Sequence, residues 1–311
     1  RADASLIQEW SLLGLLRGEA GLAALGAAGP VRHGSSRAAL HTHRAVVYLL
    51  LCLAALVFVL PLFWMLSSSL KPEWQVLAAP PVWIPNPPRW ANYPEALTYL
   101  PFGRYALNTL VISVGAIIGH LLSCTIVAYG FARLTAPGKG FFFALLLSTL
   151  MLPYPVTMVP LFALFNQLGW IDTFLPLIVP AFFGNAFYIF LLRQFFLTLP
   201  PELEDAAHID GANTLQILLH VILPISTPAL ATVVIFTFQA SWNDFLQPLI
   251  FLQDQSRYTL TLGLNFFRGS FQVRWSYLMA VSLVVVLPVI LVFFFAQRLF
   301  IEGIAMTGIK G

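Results

Sequence analysis

Four carboxylates stand within nine residues, Glu202, Glu204, Asp205 and Asp210, in the stretch ELEDAAHIDGANTLQILLHVILP that runs from Glu202 to Pro224. Their spacing is that of a capped helix. Pro200 and Pro201 suit its entry and first turn, where a missing N–H costs nothing. Glu202, Glu204 and Asp205 then fall where the helix dipole favours negative charge. Gly211 stands where the helix should stop, and Asn213 or Thr214 can cap a second helix, LQILLHVILP. Between Asp205 and His208 lie only Ala206 and Ala207. Small residues beside charges are what a helix needs to sit in another protein's groove at close backbone approach. An ordinary loop containing one helical turn needs no such caps, alanines or glycine stop.

Other reaction chemistry finds little to use. There is no CxxC, no HExxH and no Cys/His cluster, so a metal site has no support and no cofactor is expected. No nucleophile–base pair lies in the apolar stretches. Without GxxxxGK[ST], the chain cannot itself be an ATPase. Cys52 and Cys124 both fall in apolar runs, where each packs most simply as a small hydrophobe. One ionisable residue, Asp244, lies late in the apolar run FQASWNDFLQPL, where it either serves function or fixes a helix end beside Pro248. Gln239, Asn243, Asn185 and Tyr188 are the other polar or aromatic groups at comparable depth. Each can touch a solute or make a helix–helix hydrogen bond.

The elements that carry these residues must be solvated by lipid. Hydrophobic residues make up 59% of the 311, charged residues 9%, and the mean hydropathy is +0.83, far outside the range of soluble domains. A net charge of +3 without a basic run outside loops and tails gives no support for nucleic-acid binding. Six runs are long enough to cross a bilayer core of about 30 Å, near residues 45–66, 105–132, 141–165, 174–197, 228–252 and 277–300. They are continuously apolar rather than alternating, which excludes a membrane β-barrel. The expected fold is therefore all-α and polytopic, with six transmembrane helices. Pro153, Pro155 and Pro160 must break the third, and a broken helix is tolerated only against protein or a water-filled cavity. Six spans put both ends on one side. Arg32, Arg37 and Arg44, then Arg133 and Lys139, then Arg298 and Lys310 assign that side to the cytoplasm, together with the acidic helix. Lys71, Arg89, Arg104, Arg257, Arg268 and Arg274 lie on the other face, mostly in longer connections where the rule has less force.

Residues 1–44 differ in kind, Ala/Gly-rich and weakly patterned, and read as a poorly ordered cytoplasmic tail ahead of a permease-type domain over 45–311. Leu6, Trp10 and Leu13 at helical spacing leave an interfacial helix open. A cleaved signal peptide is not expected, because the first apolar run is too long and lacks a small-residue cleavage site.

From about Ala45 to the C-terminus the chain resembles the permease subunits of binding-protein-dependent ABC importers, and more narrowly the six-span subunit of the maltose-type carbohydrate permeases. The family's Glu-Ala-Ala, a Gly four residues on and a later Leu-Pro correspond here to Asp205-Ala206-Ala207, Gly211 and Leu223-Pro224. Asp205 stands where Glu is usual, keeping the charge and shortening its reach by one methylene. ANYPEAL, ALNTLVIS, AYGFARL, WNDFLQPL, TLTLGL and the ending IEGIAMTGIKG carry the likeness further.

The resemblance implies a type I importer permease fold in the inner (plasma) membrane of a prokaryote. It implies as partners a cytoplasmic ABC ATPase dimer, a second permease subunit, an external solute-binding protein and membrane lipid. It also implies that the segment at about 201–211 is a coupling helix, whose joint with the ATPase involves Glu204, Asp205, Ala206, Ala207, Asp210, Gly211, Leu223 and Pro224. On that picture a bulky residue at Ala207 uncouples ATP hydrolysis from transport while insertion persists. The tail, with Gly303, Gly308, Lys310 and Gly311, is either a frayed end or reaches between the ATPases. Asn185, Tyr188, Gln239, Asn243 and Asp244 become candidates for the substrate pathway. Relatives serve disaccharides, oligosaccharides and glycerol 3-phosphate. The absence of a mid-span Lys or Arg favours a neutral sugar over a phosphate-bearing solute, with glycerol 3-phosphate or another polyol as the alternative cargo. An ion-gradient-driven transporter should show inverted repeats and several buried carboxylates, which this sequence lacks.

Overall fold

The structure is a computed structural model that describes residues 37–269 and 273–308. Among the described residues there are helices and connections and no strand. The chain divides into two units, residues 1–61 and 62–311. Described residues of the first unit form helix α1 (Arg37–Ser69), which runs on into the second unit; it begins before Arg44, within the expected tail. From Arg44 to Ser69 the helix is apolar enough to cross a membrane.

In the second unit, α2 (Asn92–Tyr99) leads into the 32-residue α3 (Phe102–Arg133). Next come α4 (Lys139–Ser148) and α5 (Tyr154–Gln167), then a broken span ending in α6 (Ala186–Thr198), and the acidic helix α7 (Glu202–Ile209). The unit closes with α8 (Thr227–Asn243), α9 (Leu260–Gly269) and α10 (Trp275–Gly308). Four stretches are long and apolar enough to cross a membrane, and two bent pairs complete six. The chain is a multi-pass α-helical membrane protein.

Prolines set the breaks. The third span bends by 98° between Met151 and Tyr154, at Pro153, while Pro155 sits in the first turn of α5 and Pro160 inside it leaves the helix continuous. The expected fifth helix, 228–252, is two helices. Pro248 cannot donate to the carbonyl of Asp244, so α8 ends at Asn243 and a new helix begins at Leu246. The Thr261 hydroxyl takes up the freed Asp244 carbonyl instead. Ahead of α8, the helical run Thr214–Ile225, with a π-helical turn at Leu218–Ile222, meets it at 81°. The fourth span is broken at Gly184, whose φ of +93° suits glycine.

α3 is the central post, packed against α6, α8, α9 and the broken fourth span. Lipid provides no hydrophobic drive for helices to associate, so close backbone approach must supply dispersion contacts instead. Gly115, Gly119 and Ser123 recur every fourth residue on α3 and face that span. A Cβ on Gly119 would lie 2.8 Å from the Phe182 ring, 2.9 Å from Ala181 Cβ and 3.0 Å from the Ala181 backbone. Ser123 adds a hydrogen bond of 2.8 Å to the Ala181 carbonyl. Two cores flank this contact. One gathers Cys124, Ala128, Tyr129, Leu192 and Phe196 with Ala207, Ile217 and Val233. The other gathers Phe102, Tyr105, Trp242, Phe267, Tyr277 and Val281.

Candidate functional site

α7 is built as its sequence suggests. Pro201 stands at its N-cap, Glu202, Glu204 and Asp205 fill the first turn, and the chain turns out of the helix through Gly211 at φ +84°. Asn213, rather than Thr214, caps the next helix, in a reciprocal box with Gln216: each side chain accepts from the other residue's backbone N–H, at 2.9 and 2.8 Å. Leu223 and Pro224 open the last turn before the 81° bend into α8.

The orientation of α7 refines the sequence picture. Ala207 is only 8% exposed and belongs to this chain's own core, against residues of α3, α6 and the helix after Gly211. Glu204 is also turned inward. Its carboxylate lies 2.7 Å from the Arg133 guanidinium, a charge contact off the hydrogen-bonding axis, and accepts the Tyr129 hydroxyl at 3.1 Å. Arg133 also donates to the Leu199 carbonyl at 2.6 Å, just ahead of α7. The two alanines therefore do not share a face. Asp205, Ala206, Ile209 and Asp210 remain outward, and Ile209 is 87% exposed. Glu204 and Ala207 hold the helix in place, whereas Asp205, Ala206 and Ile209 form the free surface. The near-complete exposure of an apolar Ile beside charges has no counterpart in the sequence reading, although the segment AAHID places it one turn after Asp205.

In the tail, Gly303 and Gly308 lie in the final helix, and Lys310 and Gly311 lie outside the described residues.

A second site is a cavity of about 480 Å³ between α3, the broken fourth span, α8 and the helix after it. Its lining includes His120, Asn185, Tyr188, Ser241, Asp244 and Gln247. Three of the five residues expected on a solute pathway meet here: Asn185, Tyr188 and Asp244. Gln239 instead borders a separate apolar hollow with Phe238 and Phe293. The side chain of Asn243 is exposed and donates back to the Gln239 carbonyl at 2.9 Å. Two of the three also hold backbone. Asn185 caps α6, its oxygen accepting from the N–H groups of Phe187 and Tyr188 at 3.0 and 3.3 Å. Asp244 accepts the Gln247 N–H at 3.3 Å.

His120 escaped the sequence reading. It lies 3.2 Å from the Thr237 hydroxyl through Nδ1, and its ring meets Tyr188 edge-on at 4.9 Å. The available signal was an ionisable ring inside an uninterrupted apolar run, IIGHLL. Arg193 escaped it too, although it lies inside α6. Its guanidinium donates to the Phe131 carbonyl at 3.1 Å and covers the Phe143 ring at 4.2 Å, and it is absent from the cavity lining. No metal-binding cluster of His, Cys, Asp or Glu occurs among the described residues.

Comparison with known proteins shows the family. Residues 124–305 match the family described as the binding-protein-dependent transport system inner membrane component. The diacetylchitobiose uptake system permease protein of Streptomyces coelicolor is 34% identical, over 82% of this chain and 85% of that protein. The arabinooligosaccharides transport system permease protein of Bacillus subtilis is 31% identical, over 86% and 96%. The sn-glycerol-3-phosphate transport system permease protein of Yersinia pestis is 30% identical, over 83% and 94%. Among solved structures, a chain of a bacterial ABC transporter involved in the import of the acidic polysaccharide alginate superposes with a TM-score of 0.75 at 25% identity. The match covers 88% of this chain and all of that one. Matched over most of its length to transport permeases and built of apolar spans, this chain belongs to the binding-protein-dependent transport system inner membrane component family of ABC importers.

Proposed function

We propose that this chain is the permease subunit of an ATP-driven importer for sugars, with di- or oligosaccharides as its cargo. It works with a separate ATPase pair in the cytoplasm, a second permease subunit and an external solute-binding protein, with both of its own termini cytoplasmic. α7 is the coupling helix. The observation that carries this is the division of α7 into two faces. Arg133, Tyr129 and the core around Ala207 fix the inner face to α3, and Asp205, Ala206 and Ile209 are left for a partner. A helix so fixed moves as one body with the spans, whereas a loop would absorb the displacement. Gly303, Gly308, Lys310 and Gly311 of the tail are assigned on this reading to a second contact with the ATPases. Relatives named for diacetylchitobiose and arabinooligosaccharides support the cargo class.

The test is a disulfide cross-link. A cysteine replaces Ala206, on the outward face, with Cys52 and Cys124 removed, and is paired with cysteines placed in the cleft of the co-expressed ATPase. A cross-link whose yield changes with ATP supports the assignment. Absence of any cross-link, with uptake that follows an ion gradient instead, refutes it.

A further inference from the structure

Membership of the family leaves cargo charge undecided, since relatives include proteins named for a phosphate ester and for an acidic polysaccharide. The cavity itself carries chemistry that separates these classes. Its lining has one carboxylate, Asp244, and one imidazole, His120, and no Lys or Arg among the described residues. The cation nearest in sequence to the cavity's helix α6 lining, Arg193, is turned to the Phe131 carbonyl and the Phe143 ring.

We propose that this cavity is the subunit's own solute subsite, formed for uncharged polyhydroxylated solutes and closed to anionic ones by Asp244. The proposal rests on the permease reading above and names the cargo class that the subunit accepts. Three groups make the subsite. The Asp244 carboxylate is held by the backbone N–H groups of Gln247, at 3.3 Å, and Leu246, which leaves its remaining lone pairs to accept hydroxyl protons. Asn185 has its oxygen engaged in capping α6, so its side-chain amide NH2 is the group able to donate to a solute oxygen. His120 is oriented through Nδ1 by Thr237, leaving Nε2 as a second hydrogen-bonding atom beside the Tyr188 ring. Sugars present both hydroxyl donors and acceptors, with C–H faces that pack on aromatic rings. A phosphate or uronate here meets a like charge at short range and no cation to replace its water.

The experiment uses the importer complex in proteoliposomes, with its ATPase, second permease subunit and binding protein. Ala240, a lining residue one helical turn before Asp244, is replaced by cysteine in a background lacking Cys52 and Cys124. The thiol is modified with the cationic ethyltrimethylammonium and anionic ethylsulfonate methanethiosulfonates, and each rate is divided by that for a free thiol. The expected cation preference is on the order of tenfold, the size set by a unit charge several ångströms away in a partly wet site. Asp244→Asn should reduce it toward unity, and Asp244→Glu should retain it. An uncharged disaccharide should slow both reagents, while its phosphorylated counterpart should slow neither.

A rate ratio near unity in the parent, or one unchanged by Asp244→Asn, overturns the subsite. Protection by the phosphorylated sugar overturns it equally. ATP-dependent uptake, measured in the same vesicles, keeps the two readings apart. Uptake with a charge-blind cavity removes only the subsite, and absence of ATP-driven uptake of any solute removes the permease reading itself.

Discussion

The Arg133 guanidinium and the Glu204 carboxylate lie 2.7 Å apart, each more than four-fifths buried, and join the last turn of α3 to the first turn of α7. Removing one member of such a pair leaves the other charge without compensation, at a cost of roughly 3 kcal/mol when buried and less with the partial exposure here. Glu204→Ala should therefore leave membrane insertion intact and loosen α7. ATP hydrolysis should lose its stimulation by loaded binding protein, and uptake should fall at least tenfold. The exchange Arg133→Glu with Glu204→Arg should restore part of both. Hydrolysis and uptake in the same vesicles check this, and unchanged coupling in Glu204→Ala would remove the mechanical role of the pair.

The two neighbouring alanines should respond differently. Ala207 is enclosed by this chain's core, so Ala207→Leu overpacks it, at about 1–3 kcal/mol, and should lower the melting temperature of the purified subunit. Ala206→Leu adds bulk on the outward face. It should leave the melting temperature within a degree or two and reduce co-purification of the ATPase. The reverse pattern would place the docking face on the wrong side of α7.

Gly119 sits where a side chain has no room, with the Ala181 backbone 3.0 Å from a built Cβ. Gly119→Ala should destabilise the subunit by about 1–3 kcal/mol by pushing the fourth span off α3. Gly130, on the same helix, has nothing within 4 Å of its Cβ, so Gly130→Ala should be neutral or slightly stabilising. Thermal melts of both variants in one detergent decide the point.

Asp172 ties two connections together. It adopts a left-handed φ of +59°, accepts the N–H groups of Gln253 and Asp254 at 3.0 Å each, and pairs with Arg257 at 3.1 Å. The Asp254 N–H foremost, then that of Gln253 and the Arg257 charge, hold its carboxyl below the usual aspartate range. A carboxyl lowered in the folded state contributes stability that is complete above its ordinary value near 4 and is lost as pH falls through the folded value. Hydrogen exchange at Gln253 and Asp254 should thus be flat with respect to opening from pH 8 to 5 and show increased opening below about 4. Asp172→Asn tolerates the same backbone and should abolish that acid-side change while raising opening at neutral pH.

The capping logic of α7 was legible because it is local: prolines, first-turn acids, Gly211 and Asn213 each act within four residues of chain. The positions of the breaks were partly legible for the same reason. Pro153 announced one, and Pro248 offered a helix end beside Asp244, although the continuous apolar run 228–252 read as a single span. What the sequence could not display is which side of a helix meets its own chain. Ala206 and Ala207 are chemically identical, and only the packing of α7 on α3 separates them. His120 and Arg193 were passed over because hydropathy averages a lone polar residue into its apolar neighbours, whereas their partners lie 117 and 62 residues away.

Gly184 and Asn185 interrupt the fourth span at the cavity, and from there α6 runs unbroken for 13 residues to the threshold of α7. Such a segment is a stiff arm of about 20 Å. Its far end is tied to the last turn of α3 by Arg133, through the Leu199 carbonyl and the Glu204 carboxylate, so on the proposed coupling a push at the acidic helix loads α3 and α6 together as one lever rather than swinging α6 alone.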